Sequence, residues 1–179
     1  PVKNLAMPNG GAITLNGKKS NINSKLIKTR RWCGITNRHG TKYDVSELGY
    51  NFYLNEFSAA IGLEQLKKLN FLNSKRRKTA KQYWEKINLE NKMPLENECS
   101  YHLYWIRVKN RTSFMQKMRD VGIETGIHYN PIHKMSFYKG KYNLPNTEKI
   151  IQEVVSLPIH PNLKQKDVNY IIGKVNRFI

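Results

Sequence analysis

Short strand-like runs alternate with amphipathic helical segments along this 179-residue chain, and that alternation predicts an α/β or α+β fold. Two further features support it. Hydrophobic residues make up 39% of the chain, enough for a real core. The stretch 51–87 reads as a helix long enough to join two differently composed halves. No run of eighteen apolar residues occurs and no signal-peptide pattern opens the chain, so a soluble cytoplasmic protein without a membrane partner is expected. The chain begins at Pro1 and soon enters an apolar stretch, as a chain missing its beginning would.

The elements follow in order. Residues 11–16, GAITLN, form an apolar run closed by the turn dipeptide Asn16-Gly17 and predict a buried strand. A helix is predicted from Ser20 or Asn21, with Ile22, Leu26 and Ile27 on one face and Lys25, Lys28, Arg30 and Arg31 on the other. From 33 to 48 no periodicity holds for a turn and a half, which predicts a long loop of the kind that carries function. The long helix takes Asn55 as N-cap, Glu56 as a favourable first-turn charge, and Phe57, Ile61, Leu66, Leu69 and Leu72 as an apolar stripe. Asn70 and Asn73 are weak helix formers and predict a kink or break before Ala80, Tyr83, Trp84 and Ile87 resume the stripe. A polar linker then precedes a strand at 102–108, a short helix capped by Thr112 and ending at Gly122, and a strand at 123–128. After an irregular segment, helices at 147–156 and 168–179 close the chain, each with an aliphatic inner face.

Thirty-one Lys and Arg against thirteen Asp and Glu give a net charge of +18, which invites a nucleic-acid reading. The lysines, however, are dispersed. Arg30-Arg31 and Lys75-Arg76-Arg77-Lys78 cluster, but no RNP-like run, helix-turn-helix signature or finger spacing goes with them. A positive cleft for a small anionic substrate, such as a nucleotide diphosphate, accounts for the charge without a nucleic-acid partner. Cys33 and Cys99 lie far apart with no CxxC spacing and read as reduced thiols. His128, His133 and His160 tempt a zinc reading, but no carboxylate or cysteine cluster supports them, and no metal is expected.

Lys3 draws interest from its setting, PVKNLAMPNGG. PVKN at 1–4, Gly10-Gly11-Ala12-Ile13, LGYN at 48–51, NEFSAAIGLEQLKKL at 55–69, YHLYWIRV, GIETGIHYNPIH and SLPIHPNL at 156–163 follow one another in that order. The series resembles the DegT/DnrJ/EryC1/StrS family of pyridoxal-phosphate-dependent sugar aminotransferases over essentially the whole chain. The chain departs from many relatives at Pro8-Asn9 (Gly-Glu), Tyr53 (Arg) and His133-Lys134-Met135-Ser136 (His-Leu-Gln-Pro).

The resemblance implies a fold-type-I pyridoxal-phosphate-dependent transferase. Residues 1–88 would be the C-terminal part of the cofactor-binding large domain with its long connecting helix, and 89–179 the small C-terminal α/β domain. Lys3 takes the place of the catalytic lysine that forms the Schiff base with the cofactor, where a nucleophilic amine captures the aldehyde and later moves a proton. Asn51 takes the position whose amide reaches the phosphate of the partner subunit's cofactor, which implies a homodimer with shared sites. His128, Tyr129 and His133 fall on the nucleotide-sugar side of the cleft, with His39 and His102 as structural matches and Arg76 and Arg77 as candidates for the diphosphate. The implied reaction moves an amino group from glutamate to a nucleotide-linked keto sugar in deoxyamino-sugar or surface-polysaccharide synthesis. The family's ring-nitrogen carboxylate and phosphate-binding serine precede the lysine, so the fragment alone is expected to be inactive. A catalytically incomplete remnant and a dehydratase on the same scaffold are the alternatives, the latter opposed by Lys3 where one dehydratase branch has histidine.

Overall fold

The computed structural model describes residues 3–18, 20–138, 140 and 142–179. Pro1 and Val2 of the PVKN run lie outside the described residues. Backbone proximity divides the chain into two units, Pro1–Lys67 and Lys68–Ile179, with the division inside the long helix.

In the first unit, helix α1 covers Ser20–Arg31, as its periodicity predicts. The expected loop at 33–48 is instead an antiparallel hairpin, β1 (Ile35–His39) and β2 (Lys42–Val45), with Ile35 opposite Val45 and His39 opposite Lys42. Both its faces are largely exposed, so its residues carry no inside–outside alternation to read. The strand expected at 11–16 is absent: these residues are irregular and Ile13 is 70% exposed. No strand among the described residues pairs with them, and an unpaired strand leaves its backbone groups without partners.

Helix α2 runs unbroken over Glu56–Lys86. Its start is fixed by Asn55, whose Oδ1 accepts a hydrogen bond from the Ser58 N–H at 2.8 Å. The expected break at Asn70 and Asn73 does not occur. The expected stripe is not a core face in the first unit either: Phe57 is 84% exposed and Leu66 58%, while the small residues Ser58 and Gly62 are the buried ones.

The second unit holds the core. Strands β3 (Tyr104–Arg107) and β4 (Val154–Leu157) pair antiparallel, with Tyr104 opposite Leu157 and Ile106 opposite Val155, all four buried. Single bridges widen the sheet on both sides, Lys92 to Ile106 and Gly126 to Ser156. The strand expected at 123–128 is reduced to the second of these. Helices α3 (Arg111–Asp120) and α5 (Gln165–Phe178) bury Phe114, Met118, Val168, Ile171, Ile172 and Val175. Ala80 and Tyr83 of α2, with Ile87 just past its end, complete the core, the Tyr83 hydroxyl donating to the Pro158 carbonyl at 2.7 Å. Helix α3 begins two residues earlier than expected, with Asn110 as its cap rather than Thr112: Asn110 Oδ1 accepts from the Ser113 N–H. The helix expected over 147–156 is split into α4 (Pro145–Glu153) and β4, because the aliphatic run VVSL pairs with β3 instead of continuing the helix.

Candidate active site

The residues around Asn51 are held by a backbone clasp. The Tyr50 N–H donates to the Arg30 carbonyl at 2.9 Å, Cys33 to Tyr50 at 3.1 Å and Phe52 to Arg31 at 3.0 Å, with Trp32 bridging to Asn51. Two glycines permit it. A Cβ on Gly34, which has φ +74°, would overlap the Glu47 carbonyl, and one on Gly49 would overlap Gly34 N. Arg30 closes the arrangement from the side, its Nε and a terminal nitrogen on Glu47 Oε2 at 3.2 and 3.0 Å. The Asn51 side chain is thereby presented at the surface, its Oδ1 accepting from the Tyr53 N–H at 3.4 Å and its NH2 without an acceptor among the described residues. Beside it the guanidinium of Arg31 lies 4.9 Å from the Tyr53 ring, Tyr53 packs edge-on against Trp32 at 5.4 Å, and Arg38 covers Trp32 at 4.9 Å. Arg31 thus puts a cation against the Tyr53 ring.

Lys3 belongs to the same unit and is exposed. Its amine makes no hydrogen bond or ion pair with any described residue. It borders an open groove of about 800 Å³ that is otherwise walled by Met7, Gly10, Gly11, Leu54, Gly62 and Leu66. An exposed primary amine beside a mostly apolar groove, with open space over Gly11, fits the aldehyde end and flat ring of pyridoxal phosphate. No contact joins Lys3 to Asn51 among the described residues.

His128, Tyr129 and His133 fall in the second unit, on two separate anchors. His128 Nδ1 lies 3.0 Å from Ser156 Oγ, a 5% exposed hydroxyl on β4. Gly126 makes this approach possible, since a Cβ there would sit 2.6 Å from His128 Cε1. Tyr129 packs edge-on against His128 at 4.9 Å and is 60% exposed. His133 sits in a single 3-10 turn, Ile132–Lys134, where its Nε2 is 3.2 Å from Glu148 Oε1; Lys134 holds the other oxygen at 2.7 Å. These two hydrogen bonds, Lys134's first, keep the Glu148 carboxyl below the ordinary glutamate value.

Arg76 of the basic cluster donates to the Ile159 carbonyl, and partial burial lowers its pKa, so this side chain is engaged within its own unit rather than held free for a ligand. His39 ends β1 at the surface and His102 precedes β3. Sequence reasoning missed Ser156 and Glu148. The first was legible as the one polar residue in VVSL; the second had no signal, because its partners lie fourteen and fifteen residues away.

The profile of the DegT/DnrJ/EryC1/StrS aminotransferase family matches residues 1–176. The chain belongs to that family. It is 26% identical over 198 residues to an uncharacterized protein, MJ1066, of Methanocaldococcus jannaschii, a match covering 99% of this chain and 51% of the relative. Among solved structures it resembles Helicobacter pylori PseC, an aminotransferase involved in the biosynthesis of pseudoaminic acid (TM-score 0.78, 29% identity, 86% of this chain and 45% of that one). It also resembles the sugar aminotransferase CalS13 from Micromonospora echinospora (TM-score 0.79, 26% identity, 88% and 45%). The chain therefore spans about half the length of these relatives. Its fold is that of the C-terminal part of the fold-type-I sugar aminotransferases.

Proposed function

We propose that the protein containing this chain is a pyridoxal-phosphate-dependent aminotransferase that passes an amino group from glutamate to a nucleotide-linked keto sugar, in the synthesis of a deoxyamino sugar. The observation that carries the reading is the exposed Lys3 amine, without a hydrogen bond or ion pair among the described residues, on the groove beside Gly11, in a chain matched to the family over residues 1–176. In this reading 1–88 belong to the cofactor-binding domain and 89–179 form the smaller domain.

Bound pyridoxal phosphate would supply an electron sink that makes the substrate's carbon–hydrogen bond acidic. Lys3 would anchor the aldehyde carbon and, once displaced by an incoming amine, carry the proton between substrate carbon and cofactor carbon. Asn51 would offer its NH2 to a phosphate oxygen of the partner subunit's cofactor, an uncharged donor suited to that acceptor and held by the clasp at Gly34 and Gly49. His128, fixed on Ser156, and His133, fixed on Glu148, would line the sugar-nucleotide side with Tyr129.

The test is reductive trapping. The full-length protein treated with pyridoxal phosphate and borohydride is expected to carry the phosphopyridoxyl group on Lys3, and Lys3→Ala is expected to abolish both that adduct and amino transfer from glutamate. An adduct scattered over the other lysines, or a Lys3→Ala enzyme of undiminished turnover, refutes the assignment.

A further inference from the structure

A pocket of about 330 Å³ in the second unit has no part in the function proposed above. Arg111 and Lys134 enter it from different elements, and two side-chain amides, Asn130 and Gln152, join them. Arg111 is the first residue of α3, and its guanidinium donates to the Ile151 carbonyl in the last turn of α4. That bond fixes the guanidinium at the wall and satisfies a helix-end carbonyl, yet uses one donor of five. Among the described residues no carboxylate pairs with Arg111. The positive end of α3 adds to the same field, since Arg111 follows the cap Asn110. Of the nearby carboxylates, Glu153 is held by Arg107 Nε and a terminal nitrogen at 2.9 and 2.6 Å, while Glu148 bonds Lys134 itself as well as His133. None of them lines the pocket.

We infer that this pocket binds a small phosphate monoester, its oxyanion held by the fork of Arg111 and the ammonium of Lys134, with Pro131 and Met135 as the apolar wall for the ester group. A doubly charged oxyanion matches two cations from separate elements better than a single carboxylate does. The pocket shares its segment with the candidate substrate residues. Lys134 also holds Glu148, so a ligand that draws the ammonium toward the pocket weakens that bond and leaves the carboxylate more to His133. Occupancy is thereby coupled to the residue proposed above to face the sugar nucleotide, a clause that rests on the proposed function; the binding itself does not.

The experiment titrates the full chain with inorganic phosphate, glycerol phosphate and a nucleoside diphosphate at low salt, read by calorimetry and by the NMR signals of the histidine rings. Saturable binding of phosphate and its monoester is expected. It should weaken at least fivefold in Lys134→Gln and in Arg111→Gln, stay unchanged in the control Lys149→Gln, and move the His133 signals only while Lys134 is present. Lys134 is exposed, so its variant tests the site even if Arg111→Gln loosens α4. Equal weakening in the Lys149→Gln control, or competition by chloride at matched ionic strength, would mean diffuse attraction and overturn the site. A nucleoside diphosphate binding far more tightly than the monoester would make the pocket part of the substrate cleft and overturn its separateness. Neither result touches the Lys3 adduct, so the two readings fail independently.

Discussion

The Tyr104 hydroxyl is buried in the second unit without a hydrogen-bond partner among the described residues. Burial, then the neighbouring Tyr101, pushes its pKa well above the ordinary tyrosine range. An orphaned buried hydroxyl costs about 1–3 kcal/mol in desolvation, while the ring's edge-on contact with Tyr83 at 5.2 Å does not need it. Tyr104→Phe is therefore expected to leave stability unchanged or raise it by about 1 kcal/mol, as measured by urea denaturation; a loss of that size would reveal a partner for the hydroxyl. Gly126 shows the opposite economy of space, because the His128 ring occupies the volume a side chain would fill. Glu148 decides a pH dependence at the same scale. Its folded pKa lies below its unfolded value, so the carboxylate's contribution to stability is complete above the unfolded value and is lost as pH falls through the folded one. Glu148→Gln is expected to destabilise the protein at neutral pH and to match the parent in acid. A penalty that persists in acid would contradict this sign.

Among the elements, α2 shows how context overrides propensity. Asn70 and Asn73 weaken a helix by a few tenths of a kcal/mol each, too little to break one anchored at both ends. At its start the Asn55 cap satisfies a first-turn N–H; toward its end Ala80, Tyr83 and Ile87 are buried in the second-unit core. Within it, Ser74 returns its hydroxyl to the Phe71 carbonyl at 2.7 Å, a local bond that does not interrupt the helix. Asn55→Ala should cost about 1 kcal/mol through the lost cap, measured by chemical denaturation. Hydrogen exchange should show that loss concentrated in the first turn, and an unchanged exchange pattern there would exclude the cap as the element's anchor. The hairpin β1–β2 owes its place to the paired glycines at its base rather than to its own side chains, which are mostly exposed.

For the whole molecule the dominant global term is charge. Cations outnumber anions by 31 to 13, and several of the anions, Glu47, Glu64, Glu85, Glu148 and Glu153, already have ion-pair partners. Added salt screens the repulsion among the excess cations more than it weakens these few pairs. The thermal midpoint is expected to rise on going from low to moderate salt, measured by calorimetry; a fall would place the balance with the ion pairs instead. The sequence by itself determined the family, through motifs that are local and ordered, and the presence of helices α1, α2 and α5, through apolar spacing among neighbouring residues and, for α2, the Asn55 cap. It also supplied Lys3 and Asn51 as the candidates on which the proposed function rests. Only the tertiary structure decided that VVSL leaves its helix to pair with β3, that residues 33–48 fold into a hairpin, and that Ser156 and Glu148 hold the two histidines. The hairpin is local but has no inside–outside alternation to reveal it, while β4 and the two histidine anchors depend on a strand, a hydroxyl and a carboxylate far along the chain, which no local pattern encodes.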